Sequence, residues 1–560
     1  MRKISCLLMT AVLSIATPVF AAEGPIDGYA DYEKFREQVQ VLARSEWVTL
    51  RSLATTRGGR EVYLLTVGRG KTDEKPAMLI VGGVHAPHLA GSELALRTIS
   101  QLLRTQGTDK DAAALLERYT LYVIPRPSPD AGERFFEKPY AERTGNLRKT
   151  DDDRDGQVGE DPADDLNGDG WITMMRIEDA AGDYIPHPDD PRVMIKIDRK
   201  KKNERGRYRL LVEGRDNDGD EAHNEDGSAG VDFNRNFTFN YPYFKTGAGP
   251  NQVSEPETRA VADFAFSRPN IALVFSFTPE DNLFHVWKPD AGSEKKRIKT
   301  KILSADAPYV NYLAERYRKI HTGKDAPASP KGEGSFSEWA YFHYGRWSLA
   351  ARGWWIPKVD PPKPAEGEKE KKLSDEKRGA TELNALRWFA REKIDGFVDW
   401  KPIEHPDFPG AKVEVGGFKP LLRLNPPAKL LDDLAARHAK FLAATGKLMP
   451  VVAIKETQVE SLGEGVFRLK VTVTNTGYLP TMPAMGKVSQ QAYPLMLTLE
   501  LPKGAKLITG TRRMALEPIA GGGTIEKTWL LRLSEDKSKN VKITVTAPAV
   551  GSTEKTIELK

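Results

Sequence analysis

This 560-residue chain has a single cysteine, Cys6. The rest of the chain can make no disulfide, so packing must hold it together, with bound metals as a further contribution to look for. It also lacks an excess of either charge: 83 Lys and Arg stand against 78 Asp and Glu, a formal net of +5. So small a net charge at this length gives no general reason to bind nucleic acid or a membrane surface. After residue 21 no run is apolar enough for a membrane helix, and none is expected to insert. The basic run Lys196–Arg209 is interrupted by Asp198 and Glu204 and reads as a solvated hairpin or loop.

What is present starts at the N-terminus. Arg2 and Lys3 precede the apolar run Leu7–Phe20, and Val19-Phe20-Ala21 offers small residues for cleavage. Residues 1–21 therefore read as a secretory signal peptide, which implies a periplasmic or secreted protein. Short apolar runs at Glu61–Thr66, Ala77–Gly82, Tyr119–Ile124 and Ile271–Ser276 read as buried strands, with helical spacing at Leu94–Leu103 and Leu383–Lys393. Such alternation predicts an α/β sheet over residues 22–425. An Asp-rich insertion at about 150–227 and a charged loop at about 360–378 interrupt it. A connecting helix is expected within 426–449. From residue 450 to 560, runs such as Val466–Val473, Leu495–Leu501, Thr528–Leu533 and Val541–Thr546 alternate at period two and predict an immunoglobulin-like β-sandwich.

Four segments occur in a telling order: Val81-Gly-Gly-Val-His85-Ala-Pro-His88, Asn146-Leu-Arg148-Lys-Thr150, VDFNRNF at 231–237 and SEPET at 254–258. Together they resemble the zinc carboxypeptidases of the carboxypeptidase A type. The resemblance implies a carboxypeptidase-like mixed sheet flanked by helices, with the zinc at the end of a strand. His85 falls at the first ligand position and His88 at the second, where the family has glutamate. Arg148 falls at the position that polarises the scissile carbonyl. Asn234 and Arg235 fall at the pair that grips the substrate's terminal carboxylate, a task suited to the paired N–H donors of a guanidinium.

Other positions depart from the family. The third ligand position is Phe277, which cannot bind zinc, and the general-base position is Arg352, which cannot take up a proton. No tyrosine occurs from Thr322 to Glu333, where the family's capping tyrosine is expected. Zinc is therefore doubtful, and the leading expectation is a catalytically inactive protein binding the C-terminal carboxylates of peptides, cell-wall peptides among them. The alternative is an active zinc metallocarboxypeptidase using substitute groups from Glu93, Glu280, Asp281 or His285, with His285 favoured as third ligand. A purely structural protein is the third reading.

In the acidic insertion, Asp151, Asp153 and Asp155, then Asp165, Asn167 and Asp169, and more loosely Asp216, Asp218 and Asp220 follow the D-x-[DN]-x-D-G pattern of calcium loops. Alternate oxygens wrap a hard cation and glycine permits the turn. The bidentate glutamate that would close the first two loops is replaced by Pro162 and Arg176. Calcium is the expected ion.

Overall fold

The structure is a computed structural model that describes residues 27–151, 156–159, 161–219, 223–224, 230–361, 376–533 and 539–559. The signal-peptide reading of 1–21, most of the charged loop, and Asp153, Asp155 and Asp220 lie outside the described residues.

A six-stranded mixed sheet forms the centre, in the order Val48–Thr55, Glu61–Val67, Thr120–Ile124, Ala77–Val81, Ile271–Phe277, Trp347–Ala351. The first two strands run antiparallel to their neighbours and the last four are mutually parallel. The parallel strands are apolar along nearly their whole length because both faces are covered. Every residue of Ala77–Val81, Thr120–Ile124, Ile271–Phe277 and Trp347–Ala351 is buried. The helix Leu431–Gly446 packs against Leu89–Thr105, Lys110–Arg118 and Ala307–His321, whereas Pro256–Ser267 lies against the first strand and Phe336–Phe342 against the last.

Register brings the chain's most chemically distinctive residues to one edge. Val81 pairs with Ile124 and with Ser276, and Phe277 with Ala351. The parallel strands thus end at one level, where ligands of open α/β sheets bind. Close packing there depends on Gly82: a Cβ would lie 2.5 Å from the Pro125 carbonyl and 2.7 Å from that of Gly91.

The acidic insertion is more than a loop. Met174–Glu178, Tyr184–Pro186, Met194–Lys196 and Tyr208–Val212 join Phe397–Ile403 and Val413–Phe418 in a second, antiparallel six-stranded sheet. Its small core is built from Met175, Ile177, Val413 and Val415. The run Lys196–Arg209 is the end of one strand, a turn and the start of the next.

Past the helix Leu431–Gly446, two four-stranded antiparallel sheets share one core around Trp529, Leu469, Leu497 and Ile543. This unit is docked on the first. The Asp306 carboxylate accepts from the N–H groups of Ala484 (2.7 Å) and Met485 (3.0 Å) and from the Tyr341 hydroxyl (2.8 Å). No helix among the described residues is long and apolar enough to cross a membrane.

Candidate functional site

His85 and His88 lie in the turn between the Ala77–Val81 strand and the helix Leu89–Thr105, closed by a His88 N–H to His85 carbonyl bond of 2.9 Å. The helix start has no capping side chain of its own. Buried Asn425 supplies the cap from a distance: its Oδ1 accepts from the Ala90 N–H (2.9 Å) and its Nδ2 donates to the Pro87 carbonyl (2.8 Å). Nothing in the sequence around Asn425 signals that role.

The His88 ring is fully buried, and neither nitrogen makes a well-formed hydrogen bond. Burial, then His85 and Arg352, pull its pKa down to about 3, although the nearby carbonyls of Arg352 and Phe277 favour a proton. Burial and then Arg352 lower that of His85 to about 4. Both rings are therefore neutral at physiological pH.

Phe277 occupies the third corner. It is fully buried, edge-on to Phe275 at 5.1 Å and to His438 at 4.9 Å. His438, from the helix Leu431–Gly446, donates through Nδ1 to the Leu434 carbonyl (2.6 Å) and accepts at Nε2 from the Tyr317 hydroxyl (3.0 Å). His321 is likewise held, its Nε2 2.7 Å from the Gly353 carbonyl and its ring stacked on Trp355. These are packing histidines with satisfied nitrogens, which spacing along the sequence does not reveal.

Arg352 clamps two loops. Its backbone N–H donates to Asp281 Oδ2 (3.0 Å), and its Nη2 donates to the carbonyls of Pro279 (3.1 Å) and Ala328 (3.2 Å). Burial lowers its pKa while Asp281 opposes, and a guanidinium in such a place keeps its proton. Three of the four substitute groups are also committed, whereas Glu280 Oε2 is buried without a hydrogen-bond partner. Asp281 Oδ1 accepts from the N–H groups of Leu283 and Phe284, exposed His285 sits 2.8 Å from the Pro327 carbonyl, and Glu93 accepts from Ala30 and Arg97.

Zinc needs three protein ligands and an open position for water. Phe277 offers no donor atom, Arg352 sets a fixed positive charge beside two neutral imidazoles, and no group of three His, Cys, Asp or Glu among the described residues is placed to hold an ion. The residues at this centre do not fit the metal. Asp165, Asn167 and Asp169 use their oxygens on the amides of their own turn: Asp165 accepts from Asp169 and Gly170, Asn167 from Asp169, and Asp169 from Trp171. Asp151 accepts from the Gly156 N–H and Asp216 Oδ1 from that of Gly219.

The second half of the site is built around two asparagines. Asn146 donates to Glu255 Oε2 (3.1 Å) and Glu257 Oε1 (2.7 Å), and accepts from the N–H groups of Val231 and Arg148, each at 3.0 Å. It thereby fastens three of the four motif segments together. Glu255 also takes Arg148 Nη1 (3.0 Å) and Arg57 Nε (3.1 Å), so the Arg148 charge is paired.

Asp232 caps the 3-10 turn Phe233–Arg235 by accepting from the Asn234 N–H at 2.8 Å. Asn234 Oδ1 accepts from the Phe336 N–H (3.0 Å), while its amide favours the ionised form of Glu280. Burial nevertheless pushes the Glu280 carboxyl up to about 8, helped by Glu338 and Asp232. Asn234 is thus a joint between the turn, the helix Phe336–Phe342 and the Glu280 loop. Arg235 differs from its neighbours. It is half-buried, its Nε is buried without a partner, and it makes no ion pair among the described residues.

The zinc carboxypeptidase family model matches residues 36–176 and 193–353, and a domain of unknown function matches residues 451–558. Carboxypeptidase B of Canis lupus familiaris is 30% identical over 114 residues, which is 19% of this chain and 27% of that protein. The metallocarboxypeptidase A-like protein of Trichophyton verrucosum is 29% identical over 131 residues, 22% of this chain and 30% of that protein. The chain therefore spans less than a third of the length of the curated relatives it matches. Among solved structures, carboxypeptidase A from Helicoverpa armigera aligns with a TM-score of 0.37 at 15% identity, covering 65% of this chain and 72% of that one. The metallo-carboxypeptidase from Burkholderia cenocepacia aligns with a TM-score of 0.32 at 14% identity, covering 57% and 58%. The family model covers more than half of the 560 residues, and the chain belongs to the zinc carboxypeptidase family.

Proposed function

We propose that this family member is not a peptidase, and that it holds the C-terminal carboxylate of a peptide with Arg235 as anchor. The observation that carries the reading is the contrast between the two halves of the site. The metal half is filled by Phe277 and crossed by Arg352, whereas the Arg235 guanidinium makes no ion pair among the described residues, with Asp232 and Glu333 acting on it only at longer range. A half-buried guanidinium with no carboxylate in direct contact is stabilised by an incoming one, which it can bind through two parallel N–H donors. Asn234 positions that arginine by tying its turn to Phe336. Arg148, paired with Glu255, is a weaker candidate for contact with the last peptide group. Calorimetry with a short peptide and its C-terminal amide tests this: the acid binds, and Arg235→Ala abolishes the difference. Equal binding of acid and amide to the native chain removes the carboxylate grip.

One observation favours an active metallocarboxypeptidase as second reading. Both His85 and His88 are neutral at physiological pH, as metal ligation requires. Export to the periplasm or beyond, with cell-wall peptides as ligands, is our reading of the N-terminal sequence. Calcium at the Asp165–Asp169 turn and an immunoglobulin-like topology for the C-terminal sheets are proposals on sequence pattern alone.

A further inference from the structure

A cleft of about 1150 Å³ opens beside Arg352 and runs between the loops at the edge of the central sheet and the second, six-stranded sheet. Small-molecule pockets are typically about 300–1,000 Å³, so the cleft has room for a peptide segment. The floor is apolar and aromatic, with Trp355, Phe397, Trp400 and Phe418 among its residues. The charged residues on its walls are unequal in sign, eight arginines and lysines against four carboxylates.

Pairing sharpens the imbalance. Arg143, Arg352, Lys358 and Arg387 line the cleft and make no ion pair among the described residues, although Glu142, Asp325, Asp360 and Glu382 line it too. Glu382 is 3.6 Å from Arg423, which accounts for one of the four carboxylates. Arg143 donates to the carbonyls of Arg134 (3.0 Å) and Pro139 (3.1 Å), and Arg352 to those of Pro279 and Ala328. Carbonyls orient a guanidinium without neutralising it, and although Glu137 and Asp281 act on Arg143 and Arg352 at longer range, neither guanidinium has a carboxylate in direct contact. A relay of contacts also links the cleft wall to the carboxylate grip. Arg352 binds the Pro279 carbonyl, and the next residue, Glu280, interacts with Asn234, the neighbour of Arg235.

We infer that the cleft receives an acidic peptide, with its apolar stems on the aromatic floor and its carboxylates on Arg143, Arg352, Lys358 and Arg387. A peptide is favoured over other polyanions because the lining is rich in aromatic residues and Arg352 on its wall is linked through Pro279 and Glu280 to the site proposed for a peptide's C-terminus. The inference rests on that reading and names the ligand's side chains, and the two fail separately.

The experiment is calorimetry on the full chain with N-acetyl-tetraglutamate, N-acetyl-tetraalanine, and the C-terminal amide of each. The inference expects tetraglutamate to bind at least about tenfold more tightly than tetraalanine near 50 mM salt, the ratio shrinking several-fold near 0.5 M. It further expects Arg143→Gln and Arg387→Gln each to reduce the ratio about threefold or more while leaving tetraalanine binding unchanged. Two variants on different elements guard against one that fails to fold. Equal affinity for the two acids overturns the cleft inference and leaves the carboxylate grip standing. Tetraglutamate amide binding as well as the acid overturns the grip and leaves the cleft inference standing. Binding of polygalacturonate with no binding of tetraglutamate overturns the inference in favour of an acidic polysaccharide.

Discussion

The ring of Phe277 stands edge-on to that of His438, their centroids 4.9 Å apart and their planes at 67°. The contact ties the end of a central strand to a helix more than 150 residues further along, and it fills the corner where the family's third metal ligand is expected. The residue at that corner is a packing residue.

Phe277 truncation therefore has a structural cost. Phe277→Ala leaves a cavity beside His438 and His88 and is expected to destabilise the fold by about 3–5 kcal/mol. Urea unfolding of the variant measures it, and a change below about 1 kcal/mol contradicts the packing role.

Asn146→Ala removes both bonds to Glu255 and Glu257 and both amide contacts with Val231 and Arg148. Two buried carboxyls lose a donor, for which a cost of roughly 2–4 kcal/mol is expected. Differential scanning calorimetry should record a clear drop in Tm.

The buried carboxyls predict a pH dependence with a definite sign. Burial raises Glu280 to about 8, and it raises Asp232, Glu257 and Glu338 each to about 7. The folded chain then holds protons that the unfolded chain has already released, so stability falls as pH rises from about 4.5 towards about 8. The depressed histidines His85, His88 and His438 act in the opposite sense. Their unfolded forms take up protons below about pH 6.5, and stability falls as the pH drops further. Thermal scans should show greatest stability near about pH 5, where the two effects balance, and Glu280→Gln should flatten the alkaline limb. An unchanged slope in that variant counts against its buried, protonated state.

Calcium is tested by the same scans. Saturation to about 100 times Kd would stabilise the fold by about 2.7 kcal/mol, and Asp165→Asn should reduce the Tm shift. Millimolar calcium with no shift removes the ion from the account.

The sequence was most legible where burial was two-sided. Ala77–Val81, Thr120–Ile124 and Ile271–Phe277 are continuous apolar runs because they are central parallel strands. Val48–Thr55 is a half-exposed edge strand with an irregular pattern, and no periodicity marks it. The second sheet was hidden for another reason: its strands are as short as three residues and come from segments about 200 positions apart. At the site, the resemblance located His85, His88, Phe277 and Arg352 at one edge. The commitments of Asn146, Asn425 and His438 were not legible, because each depends on a partner fixed only by the fold.

Loss of the family's metal centre is the most exposed part of the proposal. The measurement is zinc content of the purified chain after dialysis against micromolar zinc, with an assay for released C-terminal amino acids. The expected result is far less than one zinc per chain and no release. Near-stoichiometric zinc with chelator-sensitive release would contradict it.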